Sequence, residues 1–417
     1  AASYAYATAR ASYAQALTAL SHLPETPENR RQRVDTILKL VRASVKAADP
    51  AQSLAYLAEA ESIVQQLSKA GGETPADRVR LEQIHFWMGH AHYLRNELPK
   101  ALEYFHGVLA VTQGEGGDKQ LEANTLGTMG RMLAFQGEFG QAMPLLLRAV
   151  ALLEAAGNWS DWSFSLGSLA VAQAARGDVA AGLAQAQSVL ARAEQARDPR
   201  GIGWGHLTLA QIYWQSGAMP RALEASRAAI QAGEESGDLF TVFVGAILTG
   251  WAESRLAQHA EAAAHIAQAK SVAEQLGGQL TMTERLAAAE AEIALNTSHL
   301  QEAVMLAEQA VAQAQAVGSI YSEGLAHRVW GQALARLEPA RWEEAEEHLG
   351  ASLSAFEAGE ARLQAAHTHV AWGRVLHERG NNDAARVHFE QAAAQYEASG
   401  LAEQLEETRG LIAMSQS

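Results

Sequence analysis

Residues 201–237 read GIGWGHLTLAQIYWQSGAMPRALEASRAAIQAGEESG, and this stretch decides the fold. In its first half, small and large apolar residues recur with a period of about 3.6, which is typical of a helix. Gly217 interrupts the pattern, a second helical pattern starts near Pro220, and Gly237 ends it. Glycine is common where a helix ends, because it adopts the left-handed conformation easily. The stretch therefore predicts two antiparallel helices joined by a tight turn.

The same unit recurs at intervals of about forty residues along most of the chain. Small residues let two helices cross closely, and large neighbours fill the holes beside them. One such unit cannot bury its apolar faces alone, so it must stack against others. We therefore predict an all-α fold, a right-handed α-solenoid of antiparallel helix pairs. The small residues at the centre of the successive first helices are Gly89, Gly130, Ala170, Ala210, Gly250, Ala291, Gly331 and Gly373.

The repeats divide the chain into three predicted parts. Residues 1–79 form an N-terminal cap of one helix and a degenerate helix pair, whose first helix spans 31–47. Residues 80–400 form eight repeats of about 40 residues, and residues 401–417 form a C-terminal capping helix. In the seventh repeat, the segment around Pro339 adds two residues to the turn between the helices.

Composition limits the partners of the protein. The chain has 417 residues, no cysteine, and a net charge of −15 from 32 basic and 47 acidic residues. This charge argues against nucleic acid or an anionic membrane surface as the main partner. The lack of cysteine excludes disulfides and thiolate chemistry and favours a cytoplasmic setting. The sequence opens without Met and without a signal-peptide pattern, so we expect either a piece of a longer protein or a processed form.

No motif for catalysis or cofactor binding appears in the sequence. The chain has neither a Gly-x4-Gly-Lys-Ser/Thr phosphate-binding loop nor a His-Glu-x-x-His zinc motif. His90 and His92, like His367 and His369, are two residues apart, which places them about 200° apart around a helix. We therefore expect a protein without metal, cofactor or enzymatic activity.

The pattern of small and aromatic residues resembles tetratricopeptide repeats. Two matching series are Trp204, Leu207, Ala210, Tyr213, Ala222, Ala229 and Leu126, Met129, Gly130, Leu133, Ala142, Ala149. The family's closing proline is absent, and the period exceeds the family's usual length of about thirty-four residues. This long form is similar to the C-terminal sensor arrays of STAND-class signalling ATPases, and to arrays that follow AAA-type ATPases in bacterial cyclase-like regulators. The resemblance implies a cytoplasmic signal-transduction domain attached to an upstream switch domain.

In this family, the groove-facing positions lie six and three residues before the central small residue, and one and four residues after it. Here many of these positions, or their immediate neighbours, carry aromatic or arginine side chains. Such a groove suits a peptide or protein segment, including an acidic one, or a small ligand. The alternative is that the aromatic residues only pack between repeats. The candidate binding residues are Phe86, His90, Tyr93, Arg131, Phe164, Trp204, Gln211, Trp214, Trp251, Arg255, Arg285, Arg328 and Arg374.

Two functional hypotheses follow from the array. The first is a non-catalytic binding scaffold, the ligand- or partner-sensing domain of a larger bacterial signalling ATPase or regulator. The second is a structural module that forms oligomers through the edges of its repeats or through its convex face. The two hypotheses differ in whether the inner or the outer surface of the superhelix is used.

Overall fold

The computed structural model describes residues 2–44, 50–114, 116–278 and 280–416. Over these residues the chain forms twenty helices and no strand. The predicted all-α superhelix of the tetratricopeptide type is therefore confirmed. Residues 1 and 417 of the predicted terminal parts, and the predicted end of the second helix at residue 47, lie outside the described residues.

Three helices precede the regular pairs, and one helix follows them. The first three are α1 (Ala2–Leu20), α2 (Pro27–Ser44) and α3 (Pro50–Lys69). The eight pairs, numbered here as units one to eight, are α4 (Pro75–Leu94) with α5 (Leu98–Thr112), α6 (Lys119–Gln136) with α7 (Phe139–Ala155), α8 (Trp159–Ala175) with α9 (Val179–Ala196), α10 (Pro199–Gln215) with α11 (Met219–Ser236), α12 (Leu239–Arg255) with α13 (His259–Gln275), α14 (Thr283–Asn296) with α15 (Leu300–Val317), α16 (Ile320–Arg336) with α17 (Trp342–Ala358), and α18 (Arg362–Glu378) with α19 (Asn382–Ala398). The last helix is α20 (Ala402–Met414).

The N-terminal helices pack on unit one through an apolar cluster and a buried carboxylate. Val34 of α2 and Leu57 of α3 are fully buried in one cluster with Ile84 of α4. The carboxylate of Asp77, in the first turn of α4, accepts a hydrogen bond from Arg31 Nε at 3.0 Å. Burial opposes ionisation of this carboxyl, but the hydrogen bond from Arg31 holds the pKa of Asp77 well below its usual range. These contacts fix α2 beside α4, where α2 forms one wall of the cavity described below.

In the five units whose central small residue is glycine, that glycine lies against a large side chain of the second helix. A Cβ atom at Gly89 would lie 2.7 Å from Cε1 of Phe105, and one at Gly130 would lie 2.6 Å from Cγ of Leu146. These distances are shorter than van der Waals contact, so the close helix crossing requires glycine. The turn of unit seven, residues 337–341, is two residues longer than the turn 216–218 of unit four, which agrees with the predicted insertion.

The stack of units curves back on itself, so that units far apart in sequence touch. Four hydrogen bonds, which we call the seam, join units two and four to units four or five positions later. Two of these bonds involve the C-terminal end of α6, one involves the C-terminal end of α10, and one involves the first residue of α7. The seam consists of Arg285 Nη2 to Phe135 O at 2.8 Å, Gln136 Nε2 to Val317 O at 3.0 Å, Phe139 N to Gly359 O at 3.3 Å and His367 Nε2 to Gln215 O at 2.9 Å.

Candidate functional site

A cavity of about 900 Å³ lies among the N-terminal units. Its walls come from α2 and from the first helices of units one to five, α4, α6, α8, α10 and α12. Leu276, Leu280 and Thr281, which precede α14, complete the wall. This volume lies within the range of about 300–1,000 Å³ that is usual for ligand pockets in proteins.

Aromatic side chains form much of the cavity wall. The ring centroids of Phe164 and Trp204 are 5.1 Å apart, and Phe135 lies 6.5 Å from Trp204. The indole Nε1 of Trp204 donates to the carbonyl oxygen of Ser163 at 3.2 Å, so the polar edge of this ring is satisfied. Aromatic rings at such distances hold one another in fixed orientations. The cavity therefore offers a preformed apolar surface.

Three predicted residues add polar groups to this surface. His90 is half-buried, and desolvation of its imidazole together with Arg131 and Arg200 lowers its pKa to about 3. Burial raises the pKa of Tyr93. The guanidinium carbon of Arg131 lies 5.9 Å from the ring centroid of Phe164. At neutral pH the cavity thus presents a neutral imidazole and a neutral phenol beside a permanent cation.

The carboxylates of the cavity already have partners. Asp118, Asp161 and Asp238 lie at the N-terminal ends of helices, where negative charge is favourable, and Asp35 lies in the middle of α2. Their charges are therefore largely committed to the fold. The contacts are Asp35 Oδ1 to Arg80 Nε at 2.7 Å, Asp238 Oδ2 to Arg200 Nε at 2.9 Å, Asp161 Oδ2 to Asn158 Nδ2 at 2.7 Å, and Asp118 to the backbone amides of Gln120 and Leu121.

Three cations of the cavity have no such partner. Lys39 and Arg42 of α2 and Arg131 of α6 line the cavity, and none of them forms an ion pair within the described part of the chain. They stand out because the protein as a whole carries a net charge of −15. A partly enclosed site with unpaired guanidinium groups favours an anionic group on the ligand.

The structure brings together six of the thirteen predicted binding residues. Phe86, His90, Tyr93, Arg131, Phe164 and Trp204 all line the cavity. The other seven lie elsewhere. Gln211, Trp214, Trp251, Arg285 and Arg328 are buried in the interior beside the seam. Arg255 is partly buried there, with 22% of its side chain exposed, and Arg374 is at the surface, where its Nη2 lies 2.6 Å from Glu407 Oε1.

The interior group is held by hydrogen bonds between units. Glu292 Oε2 accepts from Trp251 Nε1 at 2.8 Å and from Arg255 Nη2 at 3.0 Å. Although burial opposes it, Arg255 lowers the pKa of Glu292. Arg328 donates to Gln364 Oε1 at 2.9 Å, and burial together with Arg255 lowers the pKa of Arg328 to about 10. These side chains join neighbouring units inside the fold, and all of them except Arg255 are buried.

Several cavity residues were missed by the repeat pattern. Lys39 and Arg42 belong to α2, which precedes the regular units, so the repeat positions do not cover them. Arg200 is in the first turn of α10, ten residues before the central Ala210. Thr281 lies in the segment between α13 and α14. For Arg200 the sequence contains one signal, Asp-Pro-Arg at 198–200, which is typical of a helix start and so places Arg200 in the first turn.

Among the described residues, no group of three or more His, Asp or Glu side chains is arranged to hold a metal ion. No helix in the described part of the chain has both the length and the apolar character needed to cross a membrane.

The fold defines the class of protein as an all-α tetratricopeptide-repeat superhelix. The family model for the tetratricopeptide repeat matches residues 80–155, from within α4 to the end of α7. No curated protein sequence matches the chain.

Solved structures with this architecture share little sequence with the chain. A Rap protein complexed with competence and sporulation factor matches with a TM-score of 0.65 and 13% identity, over 91% of this chain and 100% of that one. A STAND protein with a tetratricopeptide repeat sensor from Pyrococcus horikoshii matches at 0.42 and 12% identity, over 91% of this chain and 55% of that one. Yeast Tom70 matches at 0.39 and 13% identity, over 99% and 89%. At 13% identity, the likeness to the Rap protein establishes the fold alone.

Proposed function

We propose that this chain is a non-catalytic binding scaffold that holds an anion-bearing ligand in the cavity. The observation that carries the proposal is the combination of an aromatic wall with three cations, Lys39, Arg42 and Arg131, that have no carboxylate partner among the described residues. Aromatic surface supplies the apolar contact, and the guanidinium groups orient a carboxylate or phosphate. A Rap protein of similar fold is complexed with competence and sporulation factor, so this architecture accommodates a bound factor.

The size of the cavity limits the ligand. About 900 Å³ accommodates a small molecule or a few residues of a peptide. A peptide or protein segment would therefore insert a short acidic part rather than run along all eight units. We place this sensing domain in the cytoplasm, as part of a larger bacterial signalling ATPase or regulator whose switch domain responds to the bound ligand.

The test uses 8-anilinonaphthalene-1-sulfonate, an aromatic anion, as the probe. We expect saturable binding to the wild-type chain, followed by fluorescence titration. Arg131→Met removes the cation at the cavity wall, and a charge-assisted hydrogen bond is worth about 1.5–3 kcal/mol, so the affinity should fall roughly ten- to hundredfold.

Arg192→Met provides the matched control. The guanidinium of Arg192 stacks on Trp159, 3.3 Å from the ring centroid, as Arg131 stacks on Phe164, but neither Arg192 nor Trp159 lines the cavity. This variant should bind the probe as the wild type does. Equal affinity of the Arg131→Met variant and the wild type would rule out the assigned site.

A further inference from the structure

We propose that the seam is a closure of the superhelix that a ligand in the cavity stabilises. The proposal rests on the proposed function for its ligand-dependent part, whereas the closure itself is argued from contacts within the chain.

The seam uses backbone groups that helix formation leaves free. The carbonyl oxygens of Phe135 and Gln215 lie in the last turns of α6 and α10, where carbonyls lack intrahelical partners and the helix dipole is negative. Arg285 and His367 donate to these two oxygens. The turns can therefore separate without breaking any helix, because water can replace the donors.

The interior beside the seam contains polar atoms that closure leaves unsatisfied. Among the described residues, no hydrogen-bond partner is present for Trp214 Nε1, Glu284 Oε2, Arg285 Nε and Gln364 Nε2. Buried polar atoms without partners are destabilising, and opening of the seam would hydrate them. Desolvation of these polar atoms thus raises the free energy of the closed state. Additional contacts from a bound ligand can therefore shift the balance between the open and closed states.

The cavity and the seam share structural elements. The ring of Phe135 lines the cavity, while its carbonyl oxygen accepts the seam bond from Arg285. Thr281, four residues before Arg285, lines the same cavity as Arg131 of unit two. A ligand that touches both Arg131 and Thr281 gains all its contacts only when units two and six are together. By linkage, such a ligand must favour the closed seam.

The amide of Phe139 reports directly on this closure. Phe139 is the first residue of α7, so its amide has no acceptor within the helix and is bonded instead to Gly359 O across the seam. Hydrogen exchange of this amide, measured by NMR on the full chain, should be slow. The amide of Val179, the first residue of α9, forms no seam bond and should exchange much faster.

Variants separate the seam from ordinary packing. Arg285→Met should raise the exchange rate of the Phe139 amide at least tenfold, and Gln136→Ala should raise it in the same direction if Arg285→Met does not fold. Arg336→Met is the matched control, because Arg336 Nη1 also donates to a helix-end carbonyl, Leu295 O at 3.2 Å, but between neighbouring units. Unchanged exchange of Phe139 in both seam variants would overturn the proposal.

Ligand coupling is tested with 8-anilinonaphthalene-1-sulfonate as the probe. A saturating concentration of the probe should slow hydrogen exchange of the Phe139 amide severalfold in the wild type but not in the Arg131→Met variant. In a separate measurement, Arg285→Met should weaken the part of probe binding that depends on Arg131 severalfold. Binding without any effect on Phe139 would overturn the coupling alone. Absence of Arg131-dependent binding would overturn both the coupling and the proposed function, while the ligand-free exchange of the seam variants would still decide whether the closure exists.

Discussion

Arg285 Nη2 donates a 2.8 Å hydrogen bond to the carbonyl oxygen of Phe135, which lies 150 residues earlier in the chain. In a simple repeat protein each unit contacts only its neighbours, and stability is a sum of unit and nearest-neighbour contributions. The bond between Arg285 and Phe135 instead joins units two and six. Contacts of this kind make distant units of the superhelix depend on one another.

Gly137 should tolerate alanine less well than a similar glycine away from the seam. Gly137 has φ +92°, and a Cβ atom there would lie 2.6 Å from Cβ of Tyr321. Gly380 has φ +88°, with no atom within 4 Å of an added Cβ. Both substitutions strain the backbone by about 1–2 kcal/mol, but Gly137→Ala adds a clash of roughly 1–3 kcal/mol. Urea unfolding measures the difference, and equal losses would contradict the observed approach of the two turns.

Two glycines of unit one should respond to alanine in opposite directions. At Gly89 an added Cβ atom would lie 2.7 Å from the ring of Phe105, whereas at Gly107 it would meet nothing within 4 Å. Gly89→Ala should destabilise by roughly 1–3 kcal/mol through overpacking. Gly107→Ala, on the exposed face of α5, should stabilise by about 0.5–1 kcal/mol through helix propensity. Thermal unfolding compares the two variants, and the same sign for both would refute the close helix crossing.

Glu292 should be far more important for stability than a surface glutamate. Glu292→Gln removes the counter-charge of the partly buried Arg255, which costs up to about 3–5 kcal/mol, the loss when one partner of a buried pair is removed. Glu344, whose side chain is 49% exposed in its pair with Arg341, provides the control. Glu344→Gln should leave the urea midpoint essentially unchanged, because exposed ion pairs contribute little. Similar losses for both variants would show that the interior pair is hydrated.

His367 should make the protein less stable as the pH falls. Burial, with the charge of Arg328, lowers the pKa of His367 from 6.5 to about 3. Below pH 6.5 the unfolded chain binds a proton at this residue, and the folded chain does not until pH 3. The stability that neutral His367 contributes is therefore fully present above pH 6.5. It is lost as the pH falls towards 3, by about 1.4 kcal/mol per pH unit.

Substitution of His367 isolates this contribution. His367→Gln removes the titrating group, so its free energy of unfolding should fall less steeply between pH 6.5 and 4.5 than that of the wild type, by roughly 2–3 kcal/mol over the interval. Urea unfolding at several pH values gives the two slopes. Parallel slopes would mean that His367 also titrates normally in the folded protein.

The helix pairs were predictable because their determinants are local. The period of apolar residues and the glycine at position 217 mark the turn between α10 and α11, and the small residue at position 130 marks a close crossing. The cavity was predictable in part. Arg131 and Phe164 follow from repeat positions and line the cavity, whereas Arg200 and the residues of α2 lie outside the repeat scheme.

By itself, the sequence determined the all-α fold, the succession of helix pairs and the face of each first helix that turns inward, because these depend on side chains a few residues apart. Only the tertiary structure decided which inward side chains stay accessible. The rotation between successive units accumulates along the stack until units two and four meet units six to eight at the seam. In this arrangement Trp214 and Trp251 are buried in the interior, whereas Arg131 lines a cavity. The period of the repeat carries no information on this accumulated angle, since small changes at every interface add up to it.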